Sequence, residues 1–196
     1  MACNLKNVLS SGSGCKENPA GLGNYVMVIP LENMKSISID DSKNEYKITP
    51  KGTGATALKG FRIDFKSQTG QVTSEDNGVG KGWTHVGTGR VELNGDDMAL
   101  VSRTLHNGDK YIYLFPTGNR SSRGTEFNVV GNVFGETEWT VASDTGAARG
   151  DDHGQTFTVT CGYQVYPMMK WFGTVENDTD DEFVDDSGDE QNYASS

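Results

Sequence analysis

Three histidines, three cysteines and a cluster of aspartates are the residues of this chain best equipped for chemistry. His85, His106 and His153 stand apart from one another, and none neighbours a Cys or Ser as a base neighbours its nucleophile. A Ser-His-Asp triad is defined by geometry rather than spacing, so the sequence nominates no catalytic residue. Cys3, Cys15 and Cys161 are odd in number and form neither a Cys-x-x-Cys pair nor a Cys/His ligand spacing, which argues against zinc. Residues 143–154 gather Asp144, Asp151 and Asp152 among glycines. A calcium loop sets carboxylates at alternate positions. This spacing departs from that pattern, and a polar connector between strands is the preferred reading. The glycines of residues 78–89 lack the Lys-Ser/Thr ending and the following helix of a phosphate cradle. Tyr111, Tyr113, Trp139 and Trp171 could stack on sugars or bases, although aromatics on strands more often fill cores. Basic residues do not interleave with them, which disfavours nucleic acid. The expectation is a protein without catalytic, cofactor-binding or metal-binding residues, and not an enzyme.

The elements that would position these residues are mostly strands. Residues 25–30 (YVMVIP) form an apolar run of the kind buried on both faces. Residues 35–40 alternate, with Ile37 and Ile39 on one face, and residues 45–49 follow a polar turn, as in a hairpin. In residues 57–66, Phe61, Ile63 and Phe65 point inward and Arg62 and Asp64 outward. Residues 110–116, 126–134 and 138–142 are further strands. Residues 155–162 alternate cleanly, placing Phe157, Val159 and Cys161 on one face, and residues 169–175 would close the sheet. One helix is expected over residues 96–106, capped by Asp96 or Asn94, with Met98, Val101 and Leu105 on one face and a stop at Asn107–Gly108. Residues 67–89 hold six glycines between good strands and read as a long β-hairpin projecting from the body. About ten strands and one helix predict a mostly β sandwich or barrel with one lateral α-helix.

Composition bounds the rest. Glycine, at 25 of 196 residues, is nearly twice its usual share of about 7%, as turns and bulges demand. The net charge of −10 is uneven: nine of the 27 acids lie from Glu176 onward, where no Lys or Arg occurs. Residues 1–175 therefore carry 17 basic and 18 acidic groups, nearly neutral and without the excess of a nucleic-acid binder. Three parts are expected: an extended arm over residues 1–23, a β domain over 24–175, and an acidic tail over 176–196 too polar to order itself. In that tail Phe183, Val184 and Tyr193 could anchor on a partner. No apolar run fits a signal peptide or a membrane span, which points to synthesis in a reducing cytoplasm with free thiols.

The strand at 57–66 with the hairpin after it, the single helix flanked by strands, and the stretch GETEWTVASDTGAARGDDHGQTFTVTCG at residues 135–162 resemble tail-tube-like virion proteins of bacteriophages. The resemblance covers most of residues 1–175 and is strongest to such proteins of phages infecting gut Bacteroidetes, the crAss-like phages among them. It implies a virion protein, assembled in the host cytoplasm, that joins copies of itself into a six-fold or twelve-fold ring or tube of the tail or neck. It implies neighbouring tail, neck or portal proteins as partners, passage of DNA without specific binding, and no membrane. Carried over by layout, residues 69–83 would be an inter-ring loop, with Thr69, Gln71, Glu75, Asp76, Lys81 and Trp83 as contact residues, and residues 3–23 an assembly arm. The acidic tail and glycine-rich N-terminus depart from the simplest family members and leave room for a neck or portal-proximal ring. The rival expectation is a non-enzymatic β-sandwich that decorates a capsid or tail and recognises a glycan or receptor.

Overall fold

The computed structural model describes residues 22–91, 96–107, 110–144 and 154–177. The expectations placed on the arm before residue 22, on Asp151, Asp152 and His153, and on the tail after residue 177 lie outside the described residues.

Tyr25–Pro30 (β1) is the pivot of the fold. Its alternate side chains enter two different cores: Val26 and Val28 one, Met27 and Ile29 the other. This is the physical content of an apolar run without alternation. β1 pairs antiparallel with Leu58–Asp64 (β4) on one side and Tyr111–Ser121 (β7) on the other. β7 continues to Gly124–Val130 (β8), and β8 to Met169–Gly173 (β11). Only Thr174 separates β11 from Val175–Asn177 (β12), which pairs with β4. One bent segment thus pairs with β8 through its first half and with β4 through its second. The strands β4-β1-β7-β8-β11/β12 close on themselves as a small barrel. Its interior is filled by Met27, Ile29, Leu58, Ile112, Leu114, Phe127, Val129, Met169 and Trp171, all buried. The closing role expected for residues 169–175 is observed, divided between two strands, and the pairing runs on to Glu176 and Asn177.

Met34–Asp40 (β2) and Glu45–Pro50 (β3) form the expected hairpin, joined to the sheet where Lys170 of β11 meets Glu45. A bidentate pair from Arg123 to Glu45 (2.7 and 3.1 Å) fastens it to the β7–β8 turn. A second sheet, in the order Gln71–Asp76 (β5), Trp83–Val91 (β6), Gly154–Gln164 (β10) and Glu138–Asp144 (β9), packs on the outer face of the barrel. Between the layers lie Val26, Val28, Ile63, Phe65, Tyr113, Phe115, Trp139, Phe157, Val159 and Cys161. Trp139 stacks between Tyr113 and Phe157, with centroids 5.6 and 4.9 Å away. The fold is a β-sandwich in which one layer curls into a barrel. The helix Asp96–Asn107 (α1) lies along β9, where Leu105 and Val101 join the inter-layer core; no described helix is long and apolar enough to cross a membrane.

The hairpin expected over residues 67–89 forms, but as part of the body. Its second arm, β6, runs unbroken from Trp83 to Val91 between β5 and β10. His85, Gly87, Gly89 and Val91 face inward and are buried. A Cβ at Gly87 would lie 2.5 Å from the Phe115 ring, and one at Gly89 would lie 2.7 Å from that of Phe157. The missing side-chain volume is supplied by rings from across the core. Only the tip, residues 77–82, extends past the paired strands.

Candidate functional site

The connections sort onto two ends of the sandwich. At one end, chain segments enter at Leu22, bridged to Thr117, and leave through β12. There the barrel mouth is a cavity of about 530 Å3 lined by Tyr25, Met27, Arg62, Phe127, Val175 and Asn177 among others. Its cation is already engaged: the Arg62 guanidinium pairs with Asp64 at 2.7 Å and lies 4.2 Å from the Tyr25 ring centroid.

The opposite end gathers the β2–β3 turn, the β5–β6 tip, the connector from β8 to β9 and the bend 165–168. Its frame is a buried polar chain. The Gln164 Nε2 donates to the Cys161 Sγ (2.8 Å), and that thiol donates to the Glu136 carbonyl (3.0 Å). The Tyr46 hydroxyl lies 3.0 Å from the Gly131 carbonyl and 3.2 Å from Gln164 Oε1, its two acceptors. Burial pushes the Cys161 thiol up to about 12, so it stays protonated and serves as a structural donor. His85, fully buried, donates from Nε2 to the Tyr166 carbonyl at 3.0 Å, holding the bend; its Nδ1 has no partner in hydrogen-bonding geometry. Burial lowers its pKa, with the carbonyls of Tyr166 and Val129 acting against that. A hydrogen bond to Asp41 raises the pKa of the Tyr166 phenol and ties the bend to the β2–β3 turn.

Outside this frame stand Val79, Phe134, Tyr163 and Val165, the large apolar side chains most exposed among the described residues. Val79, Phe134 and Val165 belong to connections at this end, and Tyr163 to the irregular end of β10 beside them. Tyr163 and the β5–β6 tip enclose a second cleft, of about 480 Å3.

The six contact residues expected from sequence do not converge. Thr69 is half-buried and internal: its hydroxyl donates to the Lys66 carbonyl (2.6 Å) and accepts from the Arg90 amide (3.1 Å), fixing the turn into β5 at the barrel-mouth end. Gln71 and Glu75 are exposed on the outer face of β5. Asp76 accepts the Gly78 amide (2.8 Å) and shapes the tip, where Lys81 is exposed. Trp83 is half-buried opposite Asp76 and Gln164. Of the aromatics considered as a stacking platform, Tyr111, Tyr113, Trp139 and Trp171 are all buried, so they line no surface. Tyr163 was missed; the only sequence signal was an aromatic placed just after the alternation ends at Cys161–Gly162. No group of three His, Cys, Asp or Glu among the described residues could hold a metal ion.

Two strand edges complete the candidate surfaces. β9 is flanked by α1 and β12 is tied into the barrel, which leaves β5 ending one sheet and β2 ending the other. Among the described residues nothing pairs with the outer edge of either. No family model, curated protein or solved structure matches the chain.

Proposed function

We propose that this chain is a structural protomer of a bacteriophage virion that joins copies of itself, edge to edge, into a ring or tube around a DNA conduit. The observation that carries the reading is the pair of edges left open among the described residues, β5 of six residues and β2 of seven. An open edge is a standing template for another strand. One edge on each sheet makes the contact heterologous, and a heterologous contact whose rotation closes produces a ring. The near neutrality of residues 1–175, with acids concentrated beyond, suits a wall that does not retain passing phosphates. The position within the particle, tail or neck, follows the resemblance in strand layout. Electron microscopy and sedimentation of the purified full chain test the reading. Rings, or a mass that rises with concentration to a fixed multiple, are the expected result. A strictly monomeric protein at every concentration would sink it.

A further inference from the structure

We propose that the cleft between the β5–β6 tip and Tyr163 is a saccharide-binding site. The first ground is the conformation of Tyr163. Its φ of +58° places a bulky aromatic in the left-handed region, where such residues are outliers that persist only when their surroundings impose them. Here the imposition is visible. Cys161 and Gln164 are both buried and bonded to each other, and the β10 register against β6 shifts between them. Gly162 and Tyr163 are thereby forced outward. Glycine or asparagine would meet that backbone demand with little strain, yet the position holds a tyrosine that is 88% exposed. The ring adds nothing to either core.

The second ground is the opposite wall. Gly82, at φ +72°, lets the tip approach β10 so closely that a Cβ there would lie 2.6 Å from the Gln164 carbonyl oxygen. The tip is cross-braced within itself: the Asn77 amide donates to the Gly82 carbonyl (3.0 Å) and the Thr84 hydroxyl to Asn77 Oδ1 (3.0 Å). The cleft is therefore preformed, and its volume of about 480 Å3 lies within the roughly 300–1,000 Å3 of small-molecule sites. Its lining is Asn77, Gly80, Lys81, Thr84, Gly162 and Tyr163: one aromatic face with an amide, a hydroxyl, an ammonium and open glycine backbone. A wholly apolar ligand would strip water from Asn77 and Lys81 without replacing it. A polyanion would find one lysine, with the carboxylates of Glu75 and Asp76 on the adjoining strand. A pyranose fits both demands, laying its C–H face on the ring and turning its hydroxyls to the polar groups. Should copies also form a ring, the repeated clefts would add avidity to weak single contacts.

The test is an oligosaccharide array probed with the full-length protein, followed by saturation-transfer NMR and titration with the best-retained oligosaccharide. Tyr163→Gly removes the ring and relieves the backbone. It should weaken binding by roughly tenfold or more, as deletion of a stacking aromatic does, while thermal stability holds or rises. Tyr163→Phe should keep binding, and Lys81→Gln should weaken it. The proposal is overturned if the native protein retains no saccharide, if Tyr163→Gly binds unchanged, or if that variant melts at a lower temperature. A fall in oligomer mass for Tyr163→Gly, with the edges untouched, would also overturn it by making the ring a contact between copies.

Discussion

His85 shows how a residue can change meaning between sequence and structure. Set between Thr84 and Val86 in a glycine-rich stretch, it reads as part of a solvated hairpin, yet it is wholly buried and holds the bend 165–168 through the Tyr166 carbonyl. The cause is not local: the Tyr166 carbonyl it bonds and the Cys161 and Ser74 it faces across the ladder lie on other segments. Cys161 was legible because its own neighbours, Phe157 and Val159, alternate with threonines. The burial of His85 has a pH consequence with a definite sign. Its folded pKa lies below the value of about 6.5 in an unfolded chain, so across that interval the unfolded state binds the proton and the folded state does not. Stability is complete above the unfolded pKa and falls as pH drops below it toward the folded value. Urea midpoints measured from about pH 7.5 to 5 should decline for the native chain and decline less for His85→Gln. Equal slopes for the two proteins would refute the assignment.

At the scale of elements, strands were legible wherever inward positions carry apolar side chains, and obscured where they carry glycine. β6 alternates faithfully, but its inner row reads His-Gly-Gly-Val, and the apolar volume opposite Gly87 and Gly89 belongs to Phe115 and Phe157. Composition alone cannot separate such a strand from a loop, because the complementary rings lie far along the chain. The bend that divides β11 from β12 was hidden for the same reason: Leu58, whose amide donates to the Thr174 carbonyl at 3.0 Å, is remote in sequence. The packing makes a prediction. Gly87→Val places atoms where the Phe115 ring stands and should destabilise by about 1–3 kcal/mol, the usual cost of overpacking a filled core. Gly162→Ala, whose added Cβ meets nothing within 4 Å, should stay within about 0.5 kcal/mol of the native protein. Chemical denaturation of the two variants checks the contrast, and equal midpoints would mean that β6 is not packed as described.

Over the whole molecule, fold class was legible because alternation and turn chemistry are local signals. Closure by residues 169–175 was legible as a last strand, but its division between two partners was not, since that depends on one short segment pairing first with β8 and then with β4. The six residues expected at a contact are spread over the turn into β5, the outer face of that strand, the tip and the start of β6. The resemblance pointed to the hairpin, and its tip does reach past the body, yet the feature that most invites assembly is the outer edge of β5 together with β2. These edges differ in sequence and belong to different sheets, so a copy that offers β5 to its neighbour's β2 keeps its own β2 free for the next. Such a contact propagates, and this separates the ring reading from an ordinary two-fold dimer, which would use one edge twice and stop. Cysteines at exposed Ser38 of β2 and half-exposed Thr73 of β5, in a chain with Cys3 and Cys15 replaced by serine, distinguish the two. Paired strands bring facing Cα atoms to about 4.5–5.5 Å, within the span a disulfide bridges. The register between copies is set by trying Ser36 and Gln71 in the same manner. Oxidation of the correct pair should give a ladder of covalent oligomers ending at one size for a ring, while either single cysteine gives no more than a dimer. A ladder that stops at two for the double variant would reveal a symmetric contact, and no cross-link in any pairing would show that these edges do not meet.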